Sequence, residues 1–162
     1  MPVDVTTEIV IERPRDAVAA YAADPRNAPE WYANIKAAEL ITPPPVRVGS
    51  RIQFRARFLG RDVTYTYDIT EFVLGERLVM RTPVGQTQWV TTYTWESVDG
   101  DRATKMVLRN WGEPGVFASV AKPLLERSMR RATSASLGRL KEIFEPTVIS
   151  REGEDRRSRS PL

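Results

Sequence analysis

Alternation of apolar and polar side chains between Ile35 and Trp111 constrains this chain more than any other feature. Apolar residues recur at every second position there, and turn glycines interrupt the alternation every 10 to 15 residues. A period of two is typical of strands with one buried face, and short connections favour antiparallel pairing. Asp99-Gly100 adds a strong hairpin signal between the last two segments. The pattern therefore predicts an antiparallel sheet with one apolar face.

The segments on either side of this stretch complete an α+β order. Val3 to Arg13 also alternates and predicts a first strand. Two short helices follow, the first from Pro14 to Ala23 and the second ending at about Tyr32. The longest helical stretch runs from Val116 to Phe144, and Pro123 either kinks it or begins its main part. We therefore predict a curved seven-stranded antiparallel sheet wrapped round a long C-terminal helix, with two short helices after strand 1.

The 162 residues are enough for one domain with a core of its own. We assign residues 1–145 to that domain and predict that the polar, charged segment 146–162 is a disordered tail. No apolar run is long enough to span a membrane, and the opening residues do not form a secretory signal. A cytoplasmic location is therefore expected. The net charge is +3, and basic residues alternate with acidic ones along most of the chain. No nucleic-acid partner is therefore expected.

The chain contains no histidine and no cysteine. This composition excludes a Ser-His-Asp triad, thiolate chemistry and most zinc and iron sites. The carboxylates form no cluster at the spacing of a calcium loop, and the glycines form no phosphate-binding loop. We therefore expect no metal and no cofactor.

The side chains at the centre of the predicted helix are small, namely those of Ser128, Ala132, Ala135 and Ser136. The facing side of the sheet is bulky and aromatic, and a twisted sheet of seven strands curls away from a straight helix. A gap between the two would form a ligand cavity. The alternative is that small residues let helix and sheet pack tightly, with the aromatic residues as ordinary core.

Several segments in combination resemble the START-like polyketide cyclase/dehydrase and lipid-transport superfamily (SRPBCC). The likeness spans residues 3–145, although each motif alone is loose. The segments are the run Pro14-Arg15-Asp16-Ala17-Val18 with Tyr21, Asp24 and Pro25 after it, Pro29-Glu30-Trp31, Val48-Gly49-Ser50-Arg51, and Leu140-Lys141-Glu142-Ile143-Phe144-Glu145.

This resemblance implies a helix-grip fold with a hydrophobic tunnel between sheet and helix. It also implies a range of functions: cyclisation and aromatisation of polyketides, hormone and lipid binding, and lipid transfer. The dioxygenase domains of the superfamily are excluded as a parallel, because their iron site needs histidine ligands and this chain has none.

Candidate catalytic residues follow from strand parity. Tyr65, Tyr67 and Tyr93 fall on the predicted concave face, where a phenol can hydrogen-bond a ligand or serve as an acid, or simply contribute its ring to the core. Asn110 either points into the pocket or bonds the Gly112 loop. Glu39 faces inward if Ala37 and Ile41 do, and outward if Ala38 and Leu40 are inside.

The remaining candidates are ligand contacts and gates. The 113–115 loop and the 83–88 hairpin are the expected gates, and Trp31 and Tyr32 either form a lid or plug the core. The full set of predicted ligand-binding residues is Trp31, Tyr32, Phe54, Phe58, Tyr65, Tyr67, Met80, Trp89, Tyr93, Trp95, Met106, Leu108, Asn110, Leu125 and Met129.

Three functions are compatible with these features. The first is binding or carriage of a small lipid- or polyketide-like hydrophobic molecule by a monomer or homodimer. The second is a metal-free polyketide cyclase, aromatase or dehydratase that uses pocket Tyr or Glu groups. The third is a protein-interaction module that uses the basic tail or the Arg51, Arg55 and Arg57 stripe, although that stripe is better explained as a solvated sheet face.

Overall fold

A computed structural model describes residues 2–146 of the chain. Residues 147–162, which are all but the first position of the predicted polar tail, lie outside the described residues. The elements in chain order are β1 (Val3–Ile11), α1 (Arg15–Ala23), a 3₁₀ turn (Pro25–Asn27), α2 (Ala28–Trp31), β2 (Ile35–Leu40), β3 (Arg51–Phe58), β4 (Arg61–Val73), β5 (Arg77–Arg81), β6 (Trp89–Val98), β7 (Ala103–Gly112), a second 3₁₀ turn (Gly115–Phe117) and α3 (Lys122–Phe144).

All seven strands belong to one antiparallel sheet, ordered β1-β7-β6-β5-β4-β3-β2. Six of them form a meander, and β1 joins at the far edge beside β7. Register shifts between Ile35 and Ala37 and between Ile69 and Glu71 interrupt the ladder. Such irregularities bend strands and increase twist. The predicted fold class, with two short helices after strand 1 and one long C-terminal helix, is confirmed.

The long helix begins later than predicted. Helix α3 starts at Lys122, and Pro123 stands in its first turn, where a missing N–H costs no hydrogen bond. The predicted helical start at Val116 falls instead within the second 3₁₀ turn. The second interpretation of Pro123, that it begins the main part of the helix, is therefore correct.

The apolar residues of the predicted helix suggest one buried stripe, which consists of Phe117, Val120, Ala121, Leu124, Leu125, Met129, Ala132, Ala135, Leu140, Ile143 and Phe144. The buried face of α3 is rotated relative to this apolar stripe. Leu125, Thr133, Ser136, Leu137 and Leu140 are buried. Four residues assigned to the stripe are exposed: Ala121, Leu124, Ala135 and Ile143. Apolar periodicity did not predict this face because it contains two small polar residues, Thr133 and Ser136. Their hydroxyls donate to carbonyls of the same helix, so both side chains can be buried without an unsatisfied donor.

The core divides into two parts on the concave side of the sheet. The larger cluster packs α1, Trp31 and the C-terminal half of α3 against the sheet. The smaller one joins Val3 and Val5 of β1 to Leu125 of α3. The two clusters leave a space between them, which is the cavity described below.

The convex face of the sheet is solvated. Arg51, Arg55 and Arg57 are exposed, and two of them form ion pairs, Arg51 with Asp68 at 2.7 Å and Arg57 with Asp62 at 3.0 Å. The stripe therefore has the partners expected of a solvated sheet face. None of the described helices is long and apolar enough to cross a membrane.

Candidate functional site

A cavity of about 550 Å³ lies between the sheet and the N-terminal half of α3. Its wall combines aromatic and aliphatic side chains with a few hydroxyls and amides. The lining residues are Tyr32, Asn34, Ala56, Phe58, Val63, Thr64, Tyr65, Tyr67, Thr82, Gly85, Gln86, Thr87, Trp89, Thr91, Asn110, Pro114, Gly115, Val116, Phe117, Leu125, Met129, Ala132 and Thr133. This volume lies within the range of small-molecule sites, about 300–1,000 Å³.

Three connections surround this cavity at one end of the sheet. They are the β3–β4 turn, the β5–β6 connection and the segment between β7 and α3. The last two touch: the Glu113 N–H donates to the Gln88 carbonyl at 2.9 Å. A Cβ on Gly115, whose φ is +54°, would lie 2.9 Å from Thr87 Cγ2. Both loops expected to act as gates therefore contribute residues to the cavity wall.

A chain of hydrogen bonds crosses the cavity floor. The Tyr67 hydroxyl lies 2.9 Å from Thr91 Oγ1, which lies 2.6 Å from Asn110 Oδ1. Asn110 Nδ2 in turn lies 3.1 Å from the Tyr32 hydroxyl. Thr91 and Asn110 are direct cross-strand partners on β6 and β7, so the sheet register itself aligns the centre of the chain. Tyr67 reaches it from β4, and Tyr32 from the end of α2.

All the hydrogen bonds in this chain run in the same donor-to-acceptor direction. The Thr91 hydroxyl donates to Asn110 Oδ1, so its oxygen accepts from Tyr67. Asn110 Nδ2 is a donor only, and the Tyr32 oxygen therefore accepts from it. Within residues 2–146 the Tyr32 O–H has no acceptor of its own. Every proton in the chain thus points toward Tyr32, and the last one is available to a ligand.

The phenols form an electrostatically coupled group. Burial raises the pKa of Tyr32, Tyr65, Tyr67 and Tyr93, and the proximity of neighbouring phenols raises the last three further. Hydrogen bonds from Asn110 to Tyr32 and between Tyr67 and Thr91 act in the opposite direction. All four are therefore neutral hydroxyls at physiological pH. Tyr65 makes no side-chain hydrogen bond to any residue that the structure describes.

No Asp, Glu, Lys or Arg among the described residues lines the cavity. Between positions 2 and 146, no group of three or more His, Cys, Asp or Glu side chains could hold a metal ion. The wall can therefore supply apolar contacts and neutral hydrogen bonds. It supplies neither a carboxylate base nor a fixed cation.

The structure brings together eight of the fifteen predicted ligand-binding residues at the cavity. They are Tyr32, Phe58, Tyr65, Tyr67, Trp89, Asn110, Leu125 and Met129. The other seven are part of the buried core, on the correct face of the sheet but beneath the short helices and the C-terminal half of α3: Trp31, Phe54, Met80, Tyr93, Trp95, Met106 and Leu108. Of the two interpretations of Trp31, the plug of the core therefore matches its position.

Glu39 is exposed, so of its two predicted orientations the outward one matches the structure, and this catalytic candidate does not line the cavity. Ala38 and Leu40 pack against the core instead. The register shift between Ile35 and Ala37 changes the parity of β2, and alternation alone could not reveal that shift. Of the other catalytic candidates, Tyr67 and Asn110 line the cavity, whereas Tyr93 does not.

Sequence reasoning did not include Thr91, which is the centre of the hydrogen-bond chain. Its position was available from parity, because Thr91 lies between Trp89 and Tyr93 on the inward face of β6. Because its side chain is polar, Thr91 was not included among the predicted ligand contacts, which are mainly apolar and aromatic. Ala56, Val63 and Thr133 also line the cavity and were not among the predicted ligand contacts.

The sequence and the fold were compared with those of known proteins. The sequence profile of the family described as "Polyketide cyclase / dehydrase and lipid transport" matches residues 2–145. A search of the curated proteins found no match.

Several solved structures share the architecture. The Zhui aromatase/cyclase from Streptomyces sp. R1128 superposes with a TM-score of 0.73 at 14% identity, covering 90% of this chain and 94% of that one. The protein TTHA0849 from Thermus thermophilus gives 0.72 at 19% identity, with 86% and 94% covered. A START superfamily protein from Mycobacterium smegmatis gives 0.73 at 12% identity, with 88% and 97% covered. At these identities the likeness shows the fold alone.

Proposed function

The chain belongs to the polyketide cyclase/dehydrase and lipid transport family, and from this premise we propose that it binds a small hydrophobic molecule, lipid- or polyketide-like, in the cavity between the sheet and α3. The observation that carries the proposal is the cavity itself, with a volume of about 550 Å³ and a lining of mainly apolar and aromatic side chains. A tightly packed interior has few voids larger than a water molecule. An open volume of this size indicates an occupant.

The lining favours binding over acid–base catalysis. Removing a proton from a substrate at neutral pH needs a base whose pKa lies near that pH, usually an imidazole or a carboxylate. The chain has no histidine, and no carboxylate of the described residues lines the cavity. The phenols keep their protons, since burial raises their pKa values. Binding or carriage needs none of these groups.

A cyclase or dehydratase is the second candidate, and two phenols support it. The hydroxyls of Tyr32 and Tyr65 have no acceptor among the described residues, so either can donate to a substrate carbonyl and polarise it. In an aldol closure, the α-carbon of the substrate would form a bond to that carbonyl carbon, and the α-proton would end on the new hydroxyl. The fold of the cavity would contribute by holding the reacting atoms close.

The test is to fill the cavity from one wall and ask whether ligands are excluded. Ala132 lines the cavity, whereas Ala135 is exposed on the same helix. The protein and the Ala132→Phe and Ala135→Phe variants would be purified, and native mass spectrometry with denaturing extraction would identify retained molecules. Thermal-shift titration with a panel of lipids and aromatic polyketides would measure binding.

We expect retained or added ligand in the parent protein and in Ala135→Phe, and an affinity loss of about tenfold or more in Ala132→Phe. Ala56→Phe, which fills the cavity from β3, should act like Ala132→Phe without any change in the helix. A clean apo mass together with no thermal shift for any member of the panel would refute the ligand-binding proposal. Turnover of a bound polyketide would move the assignment to the cyclase.

A further inference from the structure

The charged groups of the domain stay away from the cavity. Ion pairs such as Arg51–Asp68 and Arg109–Asp4 lie on the convex face of the sheet, with side chains partly exposed. The cavity wall contains no ionised side chain among the described residues. An ionised group held against this wall would therefore lose hydration without gaining a counter-charge, and burial of an unpaired charge is strongly unfavourable. The wall selects against carboxylates and ammonium groups alike.

The hydrogen-bond chain that runs from Tyr67 to Tyr32 is asymmetric in donors and acceptors. Thr91 and Asn110 use their polar groups on one another and on the two flanking tyrosines. The one group of this hydrogen-bond chain that remains available as a donor to a ligand is the O–H of Tyr32. Because the Tyr32 oxygen already accepts from Asn110, its own O–H is polarised and becomes a stronger donor.

Tyr32 is also held in place better than Tyr65. Its ring packs on Trp31 with centroids 5.4 Å apart, and its hydroxyl is fixed by Asn110 at 3.1 Å. Tyr65 has ring contacts with Phe54 and Tyr67 but, among the described residues, no hydrogen bond that orients its hydroxyl. A donor whose position is fixed recognises a ligand atom more selectively than one that rotates.

We infer that the ligand of this cavity is an uncharged molecule with a hydrogen-bond acceptor oxygen, of the ketone or quinone type, and that Tyr32 is the residue that selects it. This inference rests on the proposed function and deepens it by defining the ligand's chemical class. Hydrophobic acids and amines of the same size are disfavoured. Pure hydrocarbons fit the wall but leave the Tyr32 O–H without a partner.

Three probes with one skeleton test this directly: naphthalene, 2-acetylnaphthalene and 2-naphthoate. Their affinities for the parent protein would be measured by fluorescence or calorimetric titration at neutral pH. We expect the ketone to bind about tenfold more tightly than the hydrocarbon, which corresponds to one hydrogen bond. We expect the carboxylate to bind at least about tenfold more weakly than the ketone. Equal or tighter binding of the carboxylate would overturn the inference.

Variants then assign the donor. In Tyr32→Phe the ketone-to-hydrocarbon ratio should fall to about one, while naphthalene binding shows that the cavity is intact. Tyr21→Phe is the matched control, since Tyr21 lies outside the cavity, against Phe144 and Glu30, and the ratio should persist there. Tyr67→Phe alters the opposite end of the chain and should lower the ratio less than Tyr32→Phe does.

The possible failures are distinguishable. If naphthalene and the lipid panel bind and the ketone gains nothing, or if the ratio survives in Tyr32→Phe, the inference is wrong and the proposed function stands. If Tyr67→Phe abolishes the ratio as fully as Tyr32→Phe, the assignment of the donor is wrong. If none of the probes or lipids binds, the proposed function fails, and the inference falls with it.

Discussion

Asn110 shows how one residue can set the chemistry of an otherwise apolar wall. Its amide is buried, and both of its polar atoms have partners, Thr91 for the oxygen and Tyr32 for the nitrogen. A buried amide with satisfied hydrogen bonds costs little, whereas the same amide without partners would cost about 1–3 kcal/mol. The residue therefore introduces polarity into the cavity without introducing charge.

The first prediction concerns Asn110→Asp. The new carboxylate would be buried, so its pKa should rise above the usual value for Asp. An acid whose folded-state pKa is raised costs no stability while it is protonated in both states, at low pH, and costs progressively more as the pH rises. We expect a destabilisation of about 3 kcal/mol near neutral pH that largely disappears toward pH ~4. Urea denaturation at several pH values would measure it.

Asn34→Asp provides the comparison for this prediction. Asn34 also lines the cavity but is only partly buried, so hydration should spare its carboxylate most of the penalty. Its effect should be below about 1 kcal/mol and nearly independent of pH. An Asn110→Asp variant whose stability did not vary with pH would show that water reaches this position.

Residue-level reasoning from sequence located the inward face of the sheet but not the cavity within it. Alternation placed Tyr67, Tyr93 and Asn110 on one face, as the structure has them. Whether an inward residue lines a cavity or fills the core depends on what packs above it, and Tyr93 lies under Trp31, with ring centroids 5.7 Å apart. That relation joins segments distant in sequence, so no local pattern contains it.

Among the elements, α3 departs most from what its sequence predicts. Apolar periodicity favoured a stripe through Ala135, but the buried face passes through Thr133 and Ser136. Each of these hydroxyls donates to a carbonyl about one turn earlier in the helix, which lets a polar residue lie in an apolar interface. The strands were predicted more accurately because a period of two tolerates such exceptions at single positions.

Ser136 also connects α3 to the segment that positions Tyr32. Its Oγ accepts a hydrogen bond from the Ala33 backbone N–H at 2.9 Å. Ser136→Ala would leave that N–H without its partner, and we expect a loss of about 1–3 kcal/mol in the free energy of unfolding. Ligand affinity should fall as well, because the segment carrying Tyr32 would be held less firmly. Urea denaturation and probe titration would measure the two effects.

The control for Ser136 lies two residues earlier on the same helix. Ser134 is exposed, and Ser134→Ala should change the stability by no more than about 0.5 kcal/mol. Because alanine has a higher helix propensity than serine, a loss of stability in either variant cannot come from propensity. Equal losses in the two serine variants would contradict the role assigned to the contact between Ser136 and Ala33.

At the scale of the whole molecule, the five tyrosines of the chain share one electrostatic character. Burial raises the pKa of each of the four near the cavity. Tyr21 lies apart from them, and desolvation together with its hydrogen bond to Glu30 raises its pKa to about 12. The folded protein therefore retains protons that the unfolded chain would release near pH ~10.

This difference predicts how the molecule unfolds in alkali. A group whose pKa is higher in the folded state contributes stability that is fully present below its unfolded pKa and is lost as the pH rises toward the folded value. The tyrosines should therefore leave stability unchanged at neutral pH and make it fall steeply above pH ~10. Tyrosinate absorbance and circular dichroism, followed together from about pH 9 to about pH 12, should change in one common transition, since the phenols ionise only as the fold is lost.

The same chain in concentrated urea supplies the reference, because its tyrosines should titrate near pH ~10 without any cooperative step. A ligand that accepts a hydrogen bond from the Tyr32 O–H should move the alkaline transition of the native protein to higher pH, because it binds only the folded state with Tyr32 protonated. Tyrosinate absorbance that rose near pH ~10 while the circular dichroism remained native would contradict this prediction. It would mean that solvent reaches the phenols and that the native fold tolerates their ionisation.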